Sequence, residues 1–190
     1  LVYRWFCPSA GFVLDPFAGG SVRGLVAASL GLDYWGCDLR REQVEANIRQ
    51  ASEILGTGKA PVWVAGDSGA TVPMSAPTAC DLVFSCPPYG DLEVYSNDPK
   101  DLSNMEWSAF SAAYRDIIKK SLTRLKNNRF AAFVVGDFRS PSGYYRNFVA
   151  ETTAAFYNGG AQLYNDAIVL SSIGTAGMRV TKQFVSGRKF

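Results

Sequence analysis

Two short segments of this chain combine residue types and spacing that can do chemistry. Asp15-Pro16-Phe17-Ala18-Gly19-Gly20-Ser21 lies between an apolar run and a small-residue segment. Glycines in such a strand-to-helix turn let the backbone approach a ligand that side chains would exclude, although a plain tight connection has the same composition. Ser85-Cys86-Pro87-Pro88-Tyr89 directly follows the apolar Asp81-Leu82-Val83-Phe84. Two prolines there make a rigid turn at a strand end. Such a turn can aim the Pro87 carbonyl and one neighbouring side chain at an amino group, while Tyr89 offers a ring face to a flat partner.

Two carboxylates complete the pattern. Asp38, followed by Leu39, ends the run Tyr34-Trp35-Gly36-Cys37 roughly twenty residues beyond the glycines, a placement from which a carboxylate reaches a ribose hydroxyl pair. Its alternative role is to cap a helix beginning near Arg40 or Arg41. Gly66-Asp67-Ser68 ends a third run in the same way and would put a carboxylate near an adenine amino group; alone it would be only a turn.

Composition narrows the chemistry. The 190 residues include no histidine, which removes Ser-His and Cys-His nucleophilic systems, histidine bases and histidine-containing metal sites. Cys7, Cys37, Cys80 and Cys86 show no CxxC spacing, so a reduced cytoplasmic setting explains them better than disulfides, and no metal site is expected. A net charge of +2 is too small for binding nucleic acid by charge alone, so any such contact must be local. With 47% hydrophobic and 19% charged residues the chain suits one compact domain spanning 1–190. No apolar run approaches the ~20 residues of a membrane span and no signal peptide is legible, so a soluble, unexported protein is expected. The chain lacks an initiator methionine and stops at Gly187-Arg188-Lys189-Phe190, which leaves trimmed ends as an expectation.

The elements that must position these residues alternate. Strands are predicted at residues 12–15, 34–38, 62–65, 81–85, 129–136 and 162–170. Helices are predicted at 21–30, at 41–55 ended by Gly56, and at 144–157. The segment between the third and fourth strands reads as a Pro/Ser/Ala-rich connection. A polar loop over 90–102 precedes Ser103-Asn104-Met105-Glu106, a capping-box spacing that predicts a helix start. Trp107, Phe110, Tyr114, Ile117, Ile118, Leu122 and Leu125 then recur at helical spacing, with Arg115, Lys119, Lys120 and Arg124 on a solvated face. Strands separated by helices give an α/β, doubly wound, mainly parallel sheet with helices on both faces. Ligands in such sheets bind at the carboxyl ends of strands, where every motif above falls.

In these motifs the sequence resembles the DNA amino-methyltransferases that make N6-methyladenine or N4-methylcytosine, and especially their short phage-type members. The family's Asp-Pro-Phe-x-Gly signature matches Asp15 to Gly19, its acidic second and third strand ends match Asp38 and Asp67, and its Pro-Pro-Tyr loop matches Pro87 to Tyr89. The resemblance covers residues 12–95. It implies a Rossmann-like class I methyltransferase fold and S-adenosylmethionine as cofactor, held by Asp15, Pro16, Phe17, Ala18, Gly19, Gly20, Asp38, Leu39, Asp67 and Ser68. Ser85, Cys86, Pro87, Pro88 and Tyr89 would be catalytic. Ser21 replaces a usual glycine, and Cys86 stands where the family has Asp, Asn or Ser, so a weak hydrogen-bond acceptor takes that place.

The implied reaction is direct transfer to the amino nitrogen of a base flipped out of its stack, with adenine preferred to cytosine. The Pro87 carbonyl would accept one amino proton, Cys86 or Ser85 the other, and Tyr89 would stack on the base; a mobile 90–102 loop suits flipping. Cysteine attack on cytosine C6 is associated with a Pro-Cys order, not the Cys-Pro-Pro found here. Two alternatives stay open: a protein glutamine methyltransferase, whose loop carries Asn at the position of Cys86, and a catalytically weak DNA-binding module. Arg139, Tyr144, Tyr145 and Arg146 are placed either to contact phosphates or to serve as ordinary surface, as are the tail residues Arg179, Lys182, Arg188 and Lys189. DNA is the expected partner, with no membrane association, and a homodimer or a specificity partner is left open.

Overall fold

The computed structural model describes residues 1–170; the basic tail positions lie outside them. Helix α1 (Val2–Phe6) leads into strand β1 (Phe12–Asp15), α2 (Val22–Ser29), β2 (Asp33–Asp38), α3 (Arg41–Leu55), β3 (Val62–Ala65), α4 (Ser68–Ser75) and β4 (Cys80–Ser85). Two 3₁₀ turns, Gly90–Leu92 and Leu102–Asn104, then precede α5 (Trp107–Leu122), β5 (Leu125–Phe133) and α6 (Phe148–Asn158). Among the described residues no helix is long and apolar enough to cross a membrane.

The five strands pair in the order β3-β2-β1-β4-β5, all parallel. The order reverses between β1 and β4, so a crevice opens beyond their carboxyl ends. Alternate residues of each central strand feed opposite faces, as a pleat requires. Val13, Tyr34 and Leu82 pack with Ala27 of α2 and Val44 of α3. Their neighbours Leu14, Trp35 and Val83 pack with Val72 of α4, while Phe110, Tyr114, Ile117 and Ile118 of α5 join Phe148 and Ala155 of α6 in a separate aromatic core.

Several expectations need correction. The connection after β3 is largely helical. Asp67 accepts a hydrogen bond from the Gly69 N–H (2.9 Å) and so caps α4 despite the internal Pro73. The missing Pro73 N–H leaves the Gly69 carbonyl without its helical donor, and Lys120 Nζ of α5 supplies one at 2.8 Å. The supposedly solvated face of α5 is thus partly engaged, since Arg115 also pairs with Glu151 of α6; the helix ends at Leu122, so Arg124, which donates to the Pro73 carbonyl, and Leu125, the first residue of β5, lie beyond it. The Ser103 capping box does not form, because Ser103 donates to Asp101 Oδ1 (2.7 Å) within the preceding 3₁₀ turn; α5 begins at Trp107. Strand β5 starts earlier than predicted, and its pairing with β4 shifts register between Cys80 and Leu82, near Asn128 at φ +55°. Helix α6 begins after Asn147, leaving residues 144–146 in a hairpin. Residues 162–170 have the composition of a strand but form no ladder. Leu163, Ile168, Val169 and Leu170 are exposed, and Tyr164 meets Phe130 of β5 only ring to ring, at 5.1 Å.

Candidate active site

The turn after β1 is organised by Asp15, which is fully buried. Its Oδ2 accepts from Arg23 Nε (2.6 Å) and the Tyr34 hydroxyl (2.7 Å). Its Oδ1 accepts from the Ser85 hydroxyl (2.5 Å) and the Phe17 N–H (3.1 Å). Arg23 extends the same network by donating to the carbonyls of Phe17 (2.5 Å) and Ala18 (2.9 Å). Burial, aided by the Asp15 carboxylate, holds the Tyr34 hydroxyl well above its usual range, so it stays a donor. Asp15 therefore shapes the glycine turn from beneath. Asp15, Ala18 and Ser85 do not line the cleft above it, whereas Pro16, Phe17, Gly19 and Gly20 do.

Gly19 adopts φ +52° and has open space where a Cβ would stand. Its N–H donates to Asp38 Oδ2 (3.0 Å) and its carbonyl accepts from Asn47 Nδ2 (2.7 Å). Gly36 lets the turn lie flat on β2, since a Cβ there would meet Ala18 at 2.9 Å. Gln43, Asn47 and Gln50 form a polar stripe on α3 that holds this turn: Gln43 bonds Asn47, and Ser21 bonds Gln50. Arg23, Asn47 and Gln50 were missed in the sequence. The signal available was a row of amides at i, i+4 and i+7 among the core positions Val44 and Ala51.

Asp38 lines the cleft and ties the end of β2 to the glycine turn, with Oδ1 accepting from the Arg40 N–H (2.9 Å). It does not cap α3, whose N-cap is Arg40 with no side-chain bond. Burial raises its carboxyl above the ordinary aspartate value, against the opposing pull of the Arg40 and Gly19 N–H groups. Leu39, Asp67 and Ser68 line the same cleft. The Ser68 hydroxyl holds the Pro16 carbonyl, and Asp67 Oδ2 has no hydrogen-bond partner among the described residues.

Beyond β4, Cys86, Pro87, Pro88 and Tyr89 face the cleft from the other side of the switch point. The Ser85 hydroxyl does not: it is fully buried beneath the turn, donating to Asp15 Oδ1 (2.5 Å) and accepting from the Phe17 N–H (3.2 Å), so the acceptor role offered to it in the sequence would need a shifted geometry. Burial pushes the Cys86 thiol up despite the nearby Arg23 guanidinium, so it remains protonated near neutral pH. The Tyr89 ring meets Phe138 (5.9 Å) and Phe148 (5.6 Å) edge to face. The segment 90–104 forms a wall with its own hydrogen bonds, Ser96 to Asp101 (2.8 Å) and Asn104 to the Ser96 carbonyl (2.8 Å) among them. The cleft so enclosed measures 720 Å³, a size suited to a cofactor-sized molecule. Among the described residues no group of His, Cys, Asp and Glu could hold a metal ion.

No protein-family model matches the sequence, and no curated protein does. Solved structures do. The ribosomal protein L11 methylase of Lactobacillus delbrueckii subsp. bulgaricus aligns over 89% of this chain and 69% of its own, with a TM-score of 0.60 and 12% identity. Magnesium protoporphyrin IX methyltransferase of Synechocystis PCC 6803 with bound SAM aligns over 87% of this chain with a TM-score of 0.55 and 14% identity. TrmN from Thermus thermophilus aligns over 65% of it with a TM-score of 0.51 and 21% identity. The chain spans 65% of the Synechocystis enzyme's length and 32% of TrmN's. The parallel order β3-β2-β1-β4-β5, the crevice at its switch point and these neighbours show that the chain has the Rossmann-like fold of class I methyltransferases.

Proposed function

We propose that this chain is an S-adenosylmethionine-dependent methyltransferase acting on the exocyclic amino group of a DNA base, with N6 of adenine preferred to N4 of cytosine. The observation that carries the reading is that Pro87-Pro88-Tyr89 opens onto the same cleft as the Gly19-Gly20 turn, Asp38 and Asp67. The residues fit the cofactor: Asp38 offers two carboxylate oxygens to vicinal hydroxyls, Asp67 an unshared oxygen to an amino group, and the glycine turn open space beside its backbone.

When bound, the cofactor supplies an electrophilic methyl group on a sulfonium centre. The chain's own part is to prepare the acceptor. An amino group conjugated with a base ring is a poor nucleophile, and hydrogen bonds from its protons localise the lone pair on nitrogen. The Pro87 carbonyl serves as one acceptor. Cys86, which lines the cleft, is the second, a weak one; Ser85 is buried away from the cleft. Tyr89 supplies the face on which the base rests. A base within a duplex must leave its stack to reach this cleft, or come from a single strand. Sequence preference is left to a partner or a second copy.

Incubation with tritiated S-adenosylmethionine and unmethylated DNA, followed by digestion to nucleosides, tests the reading. Label in N6-methyldeoxyadenosine or N4-methyldeoxycytidine is the expected result. Cofactor binding without labelled nucleoside contradicts it and turns attention to a glutamine side chain as acceptor.

A further inference from the structure

The hairpin between β5 and α6 carries chemistry that the proposed function leaves without a role. Residues 138–146 fold back on themselves: the Arg146 N–H donates to the Phe138 carbonyl (2.9 Å) and the Ser140 N–H to the Tyr144 carbonyl (2.8 Å), with Arg139 and Tyr145 facing each other. The turn closes through the Gly143 N–H on the Ser140 carbonyl (2.8 Å), with Gly143 at φ +92°. Arg139 lies 4.2 Å above the Tyr145 ring, and its Nη1 donates to the Gly143 carbonyl (2.7 Å). Most of the five guanidinium donors therefore remain available, on a plate that is already stiff. Tyr144 is 77% exposed and Tyr145 58% exposed.

The root of this hairpin is the acceptor side of the cleft. Phe138 lines the cleft and meets the rings of Tyr89 and Trp107, each at 5.9 Å. The two rims also differ in charge. Residues 138–146 carry Arg139 on this rim and no acid, Arg146 lying over the Trp107 ring at 4.9 Å, while the wall over 90–104 carries Glu93, Asp98 and Asp101 against Lys100. At the hairpin's foot Asp137 turns to the Val149 N–H (3.2 Å). A phosphate-bearing strand is drawn to the first rim and repelled by the second. Exposed tyrosines beside an arginine stacked on a ring are the parts of a sequence-tolerant strand platform.

We infer that residues 138–146 hold the nucleic-acid strand next to the target base, Tyr144 stacking on an unpaired base and the Arg139–Tyr145 plate meeting a phosphate. This rests on the proposed function for the neighbouring cleft. The test is fluorescence anisotropy of a labelled single-stranded DNA oligonucleotide with wild type, Tyr144→Ala and Arg139→Ala across a salt series, beside calorimetric titration with S-adenosylmethionine. Tyr144→Ala should weaken strand binding about tenfold without changing the salt slope, as loss of one stacked base does. Arg139→Ala should reduce that slope by about 0.7, the share of one phosphate on a single strand. Both variants should bind the cofactor as wild type does, since both side chains lie outside the core. Unchanged strand binding in both variants sinks the hairpin's role while leaving the methylation reading intact. A wild type that binds cofactor but no strand overturns both, and one that binds strand but no cofactor overturns the methylation reading alone.

Discussion

The two halves of the cleft are held together by different physics. The half over β1, β2 and β3 is a hydrogen-bonded lattice in which Asp15, Asp38 and Asn47 fix a short turn from three sides. The half over β4 and β5 is built from rings, with Tyr89, Phe138, Phe148 and Trp107 meeting edge to face beneath a wall and a hairpin of opposite charge. Hydrogen bonds to backbone groups preset one geometry, which suits a cofactor that never changes. Ring packing sets a floor and, on the proposed reading, leaves the rims to select the acceptor.

Breaking the lattice at its centre should have the largest effect. Asp15→Ala leaves Arg23 buried against two carbonyls with no counter-ion, and because Arg23 keeps 22% side-chain exposure the loss should fall at the low end for a broken buried pair, about 3 kcal/mol. Urea unfolding measures it; a loss under ~1 kcal/mol would show that the turn does not depend on this carboxylate. Asp38→Ala should spare most of the fold and lower cofactor affinity about 100-fold, the worth of two charge-assisted hydrogen bonds. Calorimetry with S-adenosylmethionine reads this directly. The ionised carboxylate is the binding form and burial raises its pKa, so wild-type affinity should fall as pH drops, beginning above the range where an ordinary aspartate titrates.

Cys86 sharpens the contrast with a smaller effect. Burial keeps its thiol protonated, so iodoacetamide should alkylate it slowly at neutral pH and faster as pH rises past the usual thiol range. Cys86→Ser should keep methyl transfer within about tenfold of wild type, because a hydroxyl is at least as good an acceptor. Complete loss of transfer in that variant would instead indicate a covalent cysteine mechanism.

Local signals were the legible ones. Strand β1 and helix α3 have the bounds their patterns predicted, because a short apolar run before a glycine-rich turn, helical spacing and Gly56 act within a few residues. Helix α4 was hidden by Pro73, whose cost is met by Lys120 from another helix. Residues 162–170 have the composition of a strand, yet a strand exists only with a partner, and composition does not supply one. The site divides in the same way. Gly19, Asp38, Asp67 and the segment from Cys86 to Tyr89 line one cleft as their positions at strand ends implied. Asp15 and Ser85 face inward because they bond each other across 70 positions of chain, a pairing no local motif encodes.

The division of the cleft into a cofactor half and an acceptor half is tested most directly with Tyr89→Ala, measuring cofactor affinity by calorimetry and methyl transfer from tritiated S-adenosylmethionine on the same preparation. The account predicts cofactor affinity within about threefold of wild type and transfer reduced about 100-fold, near the upper value for one lost base–aromatic stack. Cofactor affinity lost in step with transfer would contradict the division.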